Sequence, residues 1–341
     1  MEIYTLFLLI SLAFLFSYLG NLFFINYLNK KKVLDLPNHR SSHKIPTPRG
    51  GGIPMLLSFF IVSFIAYLFN TFEFDIHFYI GLFIIFIMGS FEDFKPMSVK
   101  LRLFIQILVS IYIIIIKSPF LTFPLPEPFN FNLNYYIAFI LNIIWIVGVI
   151  NIYNFLDGID GYAGLQGIIV CISSLLLFSP NENSITIYIL LFTLFGFMFV
   201  NFPPAKIFMG DAGAYGLGFI FAVLPYYIFE NYSTGVFTVS MFLWFFLADS
   251  LYTIIRRLKR KEKIFDAHRS HLYQRLNILG WSHKKINLFI IPLMILLSGI
   301  QIINSYFNYK FNLLVFIVAV IIFFIFAAIV IKLEKINNPQ I

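Results

Sequence analysis

The sequence predicts an all-α integral membrane protein, a polytopic bundle of about 10–11 transmembrane helices, and three observations support this fold class. First, the chain of 341 residues is 60% hydrophobic and only 12% charged, roughly half the charged fraction of soluble domains. Second, uncharged apolar windows recur along the whole chain, each near the length of a membrane-spanning helix. Third, the basic residues lie almost entirely in alternate loops.

The predicted spans follow one another with short connections. The clearest windows lie at 5–25, 51–71, 129–156, 183–205, 212–229, 286–309 and 311–331, and weaker ones lie at 78–91, 103–117, 161–179 and 236–255. Helix is expected in each, because a helix satisfies its own backbone hydrogen bonds in lipid, whereas barrel strands are shorter and alternate. The first window is too long for a secretory signal and lacks a small-residue cleavage site after it, so we expect a retained helix.

The loops fall into two alternating sets that differ in charge. One set comprises 28–50, 92–102, 151–160, 201–211, 256–285 and the tail after 331. It holds every Lys and Arg except Lys117 and Lys310. The positive-inside bias places this set in the cytoplasm and the N-terminus outside. The net charge of +8 is therefore explained by topology, and we expect no nucleic-acid partner.

Acidic residues gather on the same predicted cytoplasmic face. Glu92 and Asp93 end the third span, Asp157 and Asp160 precede the sixth, and Asp211 begins the eighth. Ionisable groups at a membrane rim are costly and usually functional, although any one of these could simply cap a helix. Converging carboxylates suit Mg²⁺, which takes one or two protein carboxylates together with substrate phosphates and water. The sequence thus predicts a divalent-cation site facing the cytoplasm.

Basic residues and glycines on this face indicate phosphate binding. The basic candidates are Lys44 and Arg49 in H43-K-I-P-T-P-R-G-G-G-I-P54, Lys100 and Arg102 after the acidic pair, and H268-R-S-H-L-Y-Q-R275. Point charges and forked donors bind phosphate oxygens, whereas the run 256–263 is more typical of a lipid-headgroup anchor. Zinc at the two histidines would lack further ligands. Glycines beside predicted helix starts let backbone amides approach an anion.

Taken in order, these motifs resemble those of the polyprenyl-phosphate N-acetylhexosamine-1-phosphate transferase superfamily, glycosyltransferase family 4. The shared segments are 35–54, E92-D93 with K100-L-R102, N151-x-x-N-x-x-D-G-x-D-G161, G210-D-x-G213 and the histidine loop. The resemblance covers residues 35–275 of what we expect to be a single transmembrane transferase domain, 1–341.

The resemblance implies a role for each matching residue. Glu92 and Asp93 match the catalytic centre, and Asp211 matches the residue tied to the metal, Mg²⁺ or Mn²⁺ in its place. The predicted nucleotide-binding residues are Lys44, Asn154, Asp157 and Asp160. The predicted phosphate-binding residues are His268, Arg269 and His271 in the matching loop, with Lys100 and Arg102 as additional candidates.

Two departures from the family pattern affect this interpretation. Glu92 stands where the family usually has an aspartate, so its longer side chain changes the expected geometry. The loop H-R-S-H-L-Y-Q-R carries fewer histidines than many members. It is similar to the branch that initiates O-antigen-type glycans, which weakens the case for the peptidoglycan enzyme.

The implied activity is transfer of a sugar-1-phosphate from a UDP-N-acetyl-aminosugar to undecaprenyl phosphate, with release of UMP, to initiate a cell-surface glycan (O-antigen or cell-wall polymer). The expected partners are these two substrates and the bilayer of the cell membrane, and a homodimer stays open. Another Mg²⁺-dependent membrane lipid transferase, such as a prenyltransferase or a CDP-alcohol phosphotransferase, is an alternative. A secondary transporter is less favoured, because its polar residues would lie at the midplane within repeated halves.

Overall fold

A computed structural model of the chain describes residues 3–37, 42, 45–69, 75–177, 182–262 and 269–337. Within these residues the structure is helical, with only isolated β-bridges besides. The helices are α1 (Ile3–Lys31), α2 (Gly52–Leu68), α3 (Ile76–Phe94), α4 (Val99–Lys117), α5 (Tyr135–Phe155), α6 (Tyr162–Leu177), α7 (Glu182–Asn201), α8 (Gly210–Ile228), α9 (Tyr232–Phe242), α10 (Trp244–Lys259), α11 (Leu272–Ile278), α12 (His283–Ser305) and α13 (Asn312–Asn337).

Eight helices in the described part of the chain are long and apolar enough to cross a membrane on their own. They are α1, α3, α4, α5, α7, α8, α12 and α13. The shorter apolar helices α2 and α6 occupy two further predicted windows. The predicted all-α, polytopic membrane fold is therefore confirmed, and every predicted window contains a helix.

The predicted span at 236–255 is not one straight helix. Helices α9 and α10 pass the length and apolarity test only together, and they meet at an angle of 80°. The break falls at Leu243, and the Phe242 carbonyl beside it accepts a hydrogen bond from Gln166 Nε2 at 2.9 Å. A helix can break at membrane depth where other protein groups satisfy the freed backbone, as Gln166 does here.

Helix α8 forms the centre of the bundle and packs against α2, α3 and α5. It is buried from Gly210 to Tyr226, whereas α1, α4 and α13 expose large apolar side chains such as Phe7, Ile115 and Phe324, as lipid-facing helices do. Close approach to α2 requires glycine. A Cβ at Gly52 would lie only 2.2 Å from the backbone nitrogen of Gly213. Small residues of this kind allow membrane helices to pack backbone against backbone.

The chain before α2 is bound to the chain before α8 through the backbone. Phe208 N donates to Pro48 O (2.9 Å), Gly51 N donates to Phe208 O (2.9 Å), and Gly52 N donates to Met209 O (2.7 Å). Two loops of the predicted cytoplasmic set are thereby joined at one end of the bundle. Since α3 has 19 residues, its start lies about 28 Å away, at the other end.

Candidate active site

The carboxylate of Asp93 receives the N-terminus of α8. Its Oδ1 accepts a hydrogen bond from Asp211 N (2.7 Å) and its Oδ2 accepts one from Ala212 N (3.1 Å). The chain turns into α8 at Gly210 with φ +77°, and a Cβ there would lie 2.5 Å from Asp93 Oδ1. Only glycine fits both requirements. The amides of this helix N-terminus, which the sequence suggested for a ligand anion, are instead bound by the protein's own Asp93.

Arg49 joins Asp93 to Asp211. Its Nε lies 3.1 Å from Asp93 Oδ1, and its Nη2 donates to Asp211 Oδ2. Asn154 Nδ2 donates to the other oxygen, Asp211 Oδ1, at 2.6 Å. Burial opposes the charge of Arg49, yet the carboxylates of Asp211 and Asp93 raise the pKa of the guanidinium above its ordinary value. The structure thus brings together three of the predicted site residues: Asp93, Asn154 and Asp211.

Asp157 and Asp160 lie in the connection between α5 and α6 and not on a helix, so they do not share a helical face although they are three residues apart. The glycines between and after them favour a turn over a helix. Asp160 Oδ2 accepts from Ala205 N (3.0 Å), and its Oδ1 lies 3.1 Å from His283 Nδ1. Burial raises the pKa of Asp157 well above its usual value, and Arg49 acts in the opposite direction.

A polar cavity of about 410 Å³ opens beside these groups. Its lining includes Arg49, Asn154, Asp157, Asp160, Asp211 and Gln274, with Gly158, Ile159 and Phe208 as less polar surfaces. Ser42 Oγ donates to Gly158 O at 2.6 Å, so the chain before α2 also forms part of the wall. A cavity of this size holds a small polar ligand beside carboxylates and a guanidinium.

Glu92 lies apart from this cluster, although it neighbours Asp93 in sequence. Its Oε2 accepts from Met97 N (2.6 Å), and its Oε1 accepts from Arg102 Nη1 (3.0 Å). Arg102 Nη1 also donates to Tyr215 Oη at 3.0 Å. These bonds close the turn between α3 and α4 and fasten it to α8. Lys100 is exposed, and none of Glu92, Lys100 and Arg102 lines the cavity.

The described part of the histidine loop packs against the bundle. Its predicted phosphate-binding residues Arg269 and His271 do not line the cavity. His271 is buried, and its Nδ1 lies 3.6 Å from Asp249 Oδ1. Asp249 Oδ1 also accepts from Leu272 N at 2.9 Å, the first amide of α11. Arg269 Nη2 donates to Asn277 Oδ1 at 2.8 Å. Lys44 and His268 lie outside the described residues.

Helix α11 positions the loop that carries Asp157. Tyr273 Oη donates to Phe155 O at 3.0 Å, and the Tyr273 ring stacks on Tyr162 with centroids 5.1 Å apart. A Cβ at Gly158 would lie 2.1 Å from Tyr273 Oη, so the contact depends on glycine. The next residue, Gln274, reaches the cavity. The histidine loop, residues 268–275, therefore contributes to the site through Tyr273 and Gln274.

The donor set fits Mg²⁺ as a partial site. Within the described ranges, no three His, Cys, Asp or Glu side chains form a ready-made metal site. The guanidinium of Arg49 nonetheless bridges Asp93 and Asp211. Mg²⁺ commonly uses one or two protein carboxylates and completes its octahedron with substrate phosphates and water. The hard oxygen donors suit Mg²⁺ or Mn²⁺ better than zinc.

Sequence reasoning missed several residues of this site. Arg49 was expected to bind phosphate and not to pair with carboxylates. His283, Gln274 and Phe208 were not assigned any role. The position of Phe208 directly before M-G-D was an available signal, whereas His283 is a lone histidine 123 residues from its partner Asp160, with no motif around it.

The helices and the acidic cavity together define a polytopic membrane enzyme with its polar site at one end of the bundle. Residues 76–229 match the family model described as glycosyl transferase family 4. This match and the relatives described next support the resemblance to the polyprenyl-phosphate N-acetylhexosamine-1-phosphate transferases. The resemblance inferred from the motifs is thereby confirmed, and so is the placement of the chain as a multi-pass protein of the cell membrane.

Three relatives illustrate the similarity. A probable undecaprenyl-phosphate N-acetylglucosaminyl 1-phosphate transferase of Bacillus subtilis is 28% identical over 266 residues, 74% of this chain and 71% of the relative. An undecaprenyl-phosphate alpha-N-acetylglucosaminyl 1-phosphate transferase of Thermotoga maritima is 29% identical over 255 residues, 73% of this chain and 75% of the relative. A phospho-N-acetylmuramoyl-pentapeptide-transferase of Staphylococcus saprophyticus is 27% identical over 265 residues, 71% of this chain and 80% of the relative.

Proposed function

We propose that this protein transfers a sugar-1-phosphate from a UDP-N-acetyl-aminosugar to undecaprenyl phosphate and releases UMP. The observation that carries the proposal is the Asp93–Arg49–Asp211 cluster, of which Arg49 and Asp211 line the polar cavity, at one end of a membrane bundle. A water-soluble nucleotide can enter such a cavity from solution, and a lipid phosphate can reach the same end of the bundle from the bilayer. Relatives with 28% and 29% identity are named as undecaprenyl-phosphate transferases of N-acetylglucosamine 1-phosphate.

The cavity offers matching groups for each part of a sugar nucleotide. Asp160 is a carboxylate that can accept a hydrogen bond from uracil N3–H, a donor that cytosine lacks. Phe208 and Gly158 supply surfaces on which a flat base can lie. Arg49 presents a forked donor to the diphosphate.

Asp93 and Asp211 are the residues that would hold Mg²⁺ in this proposal. When bound, the metal supplies positive charge that stabilises the departing UMP. The protein's own contribution is positioning. The amides of α8 fix Asp93, and Asn154 fixes Asp211, so both carboxylates are oriented before substrate arrives. Preorganised groups of this kind supply much of the rate in phosphoryl transfer.

The proposal places the reaction at the first membrane step of a cell-surface glycan. The H-R-S-H-L-Y-Q-R loop favours an O-antigen-type glycan as the product of the pathway. The similarity to a phospho-N-acetylmuramoyl-pentapeptide-transferase makes a cell-wall polymer the alternative product. The acceptor is the same lipid phosphate in both cases.

The deciding experiment is a substrate panel. Purified protein in lipid nanodiscs is incubated with undecaprenyl phosphate, Mg²⁺ and one UDP-N-acetyl-aminosugar at a time, and UMP release is measured together with the lipid-linked product. We expect one donor to be preferred and no turnover without the lipid. UMP release that does not require undecaprenyl phosphate, or a failure of every donor with correctly folded protein, would reject the proposal.

A further inference from the structure

We propose that Arg49 is the resident counter-ion of the metal site: it occupies the place of the divalent cation between Asp93 and Asp211 and moves onto the substrate diphosphate when the cation binds. This inference rests on the proposed function, and it assigns to Arg49 a positioning role that the family resemblance does not provide.

The geometry makes the two cations competitors for one place. Arg49 Nε lies 3.1 Å from Asp93 Oδ1, and Arg49 Nη2 donates to Asp211 Oδ2. Mg²⁺ sits about 2.1 Å from its oxygen ligands, so an ion shared by these carboxylates needs the space between them. The guanidinium fills that space, and therefore both cannot bind the same two oxygens at once.

Arg49 is the member of the cluster that can leave. Its side chain is 39% exposed, whereas those of Asp93 and Asp211 are 0% and 11% exposed. Its backbone is anchored, because Phe208 N donates to Pro48 O and Gly51 N donates to Phe208 O on either side of it. The exchange therefore requires only rotation of the Arg49 side chain into the cavity that it already lines.

Charge balance gives the exchange a direction. In the described part of the chain, the cavity is lined by the carboxylates of Asp35, Asp157, Asp160 and Asp211, with Arg49 as the one basic side chain. A divalent cation compensates the two carboxylates of Asp93 and Asp211 better than a single guanidinium does. Once displaced, Arg49 faces the cavity in which a diphosphate would lie, and a guanidinium fork matches phosphate oxygens.

Metal binding without turnover tests this inference. Mn²⁺ is titrated into purified protein in nanodiscs without nucleotide, and free Mn²⁺ is followed by electron paramagnetic resonance. Removing a competing unit charge should matter strongly at close range, so we expect Arg49→Gln to tighten Mn²⁺ binding at least about tenfold. Lys206→Gln removes one positive charge from an exposed side chain on the same loop as Phe208, and it should change the affinity less than about twofold.

UMP binding supplies the second readout. In the wild type, Mn²⁺ should strengthen UMP binding both directly and by releasing Arg49. In Arg49→Gln, UMP should bind more weakly, and the gain from added Mn²⁺ should shrink. Arg49→Lys keeps the charge but loses the fork, so its Mn²⁺ affinity should fall between the other two. If Arg49→Gln proves too unstable to purify, as shown by its thermal unfolding midpoint, the Mn²⁺ affinities of wild type and Arg49→Lys are compared instead.

The outcomes separate this inference from the proposed function. Wild-type protein that binds Mn²⁺, with unchanged or weaker binding in Arg49→Gln and Arg49→Lys, would overturn the counter-ion role and leave the metal site standing. Wild-type protein that binds no Mn²⁺ would overturn both.

Discussion

Asp75 and Asp93 lie at the two ends of α3, and each caps the N-terminus of a helix. Asp75 Oδ1 accepts from His77 N and Phe78 N of its own helix, both at 3.0 Å. Lys117 Nζ lies 2.8 Å from Asp75 Oδ2 and 4.0 Å from the centroid of the Tyr227 ring. Burial acts against ionisation, but Lys117 and the two amides outweigh it and lower the pKa of Asp75. One carboxylate meets one cation here.

Among the described residues, the Asp93 end is not balanced in this way. Asp93 and Asp211 share the guanidinium of Arg49, and the carboxyl groups of Asp157 and of Asp160, which lies beside His283, line the same cavity. Uncompensated charge in a largely buried site is costly unless a partner neutralises it. The two ends therefore differ in kind: the matched Asp75 end fastens α3 to α4, whereas we propose that the acidic Asp93 end receives an additional cation.

The two ends of α3 should face opposite compartments, so thiol labelling from outside the cell should reach one end and not the other. Cys171, the single native cysteine, is buried, so the background should be low. A cysteine replacing exposed Lys284, at the Asp93 end, should be shielded from an impermeant thiol reagent in intact cells. A cysteine replacing Tyr306, which is 76% exposed, should react. The reverse pattern would overturn the orientation and the cytoplasmic entry of the nucleotide.

Neutralising the acidic end should abolish most activity. Asp211→Asn keeps size and removes charge, so we expect turnover to fall at least about a hundredfold, the scale of a lost electrostatic contact in a preorganised site. Asp75→Asn is the matched control at the other end, and its turnover should stay within about twofold, because surface-type pairs contribute little. Turnover of both variants is measured as UMP release at limiting Mg²⁺. Near-normal turnover of Asp211→Asn would refute the metal assignment.

Within the acidic end, the roles of the carboxylates should separate. Asp160→Ala should weaken use of the UDP-sugar far more than use of undecaprenyl phosphate. It should also reduce the preference for UDP over CDP compounds about tenfold or more, as expected when a buried partner for the base is lost. Kinetics with each substrate varied separately measure this effect.

Asp160→Asn is the control for structure, because it can keep the acceptor for Ala205 N and the contact with His283. Equal losses toward both substrates in the two variants, with base preference intact, would mean that Asp160 serves the fold.

The smallest effect should come from the balanced end. Lys117→Gln should lower stability by about 1 kcal/mol or less, as for other partly exposed ion pairs. Since the folded pKa of Asp75 lies below its ordinary value of 3.8, this pair stabilises the protein above that pH and is lost as the pH falls through the folded pKa. The thermal midpoints of wild type and Lys117→Gln should therefore converge at low pH. A gap that persists there would contradict the assignment.

The fold was predictable because each span depends on composition over about 20 residues, and long apolar windows are hard to mistake. The break at Leu243 was not predictable, since it depends on Gln166, a residue on another helix. For this reason the sequence predicted a single span where the structure has two helices, α9 and α10.

The site was predictable only as far as the motifs reach. They bring Asp93, Asn154 and Asp211 to one place, while the roles of these residues remain predictions. Glu92 shows the limit. Neighbouring residues on a helix point about 100° apart, so of two adjacent acids only Asp93 meets the N-terminal amides of α8. No local pattern encodes which one does. The same holds for Arg49, whose partner Asp211 is 162 positions away.

The backbone pairing between the chain before α2 and the chain before α8 also sets an order of assembly. Arg49 and Asp93 are synthesised early, whereas Asp211 follows them by 162 and 118 positions. Until then, Asp93 lacks the two amides that hold its carboxylate. Contacts this distant in sequence form late in folding. The nascent chain therefore lacks the Asp93–Arg49–Asp211 cluster until α8 has been made, and the arrival of α8 completes it.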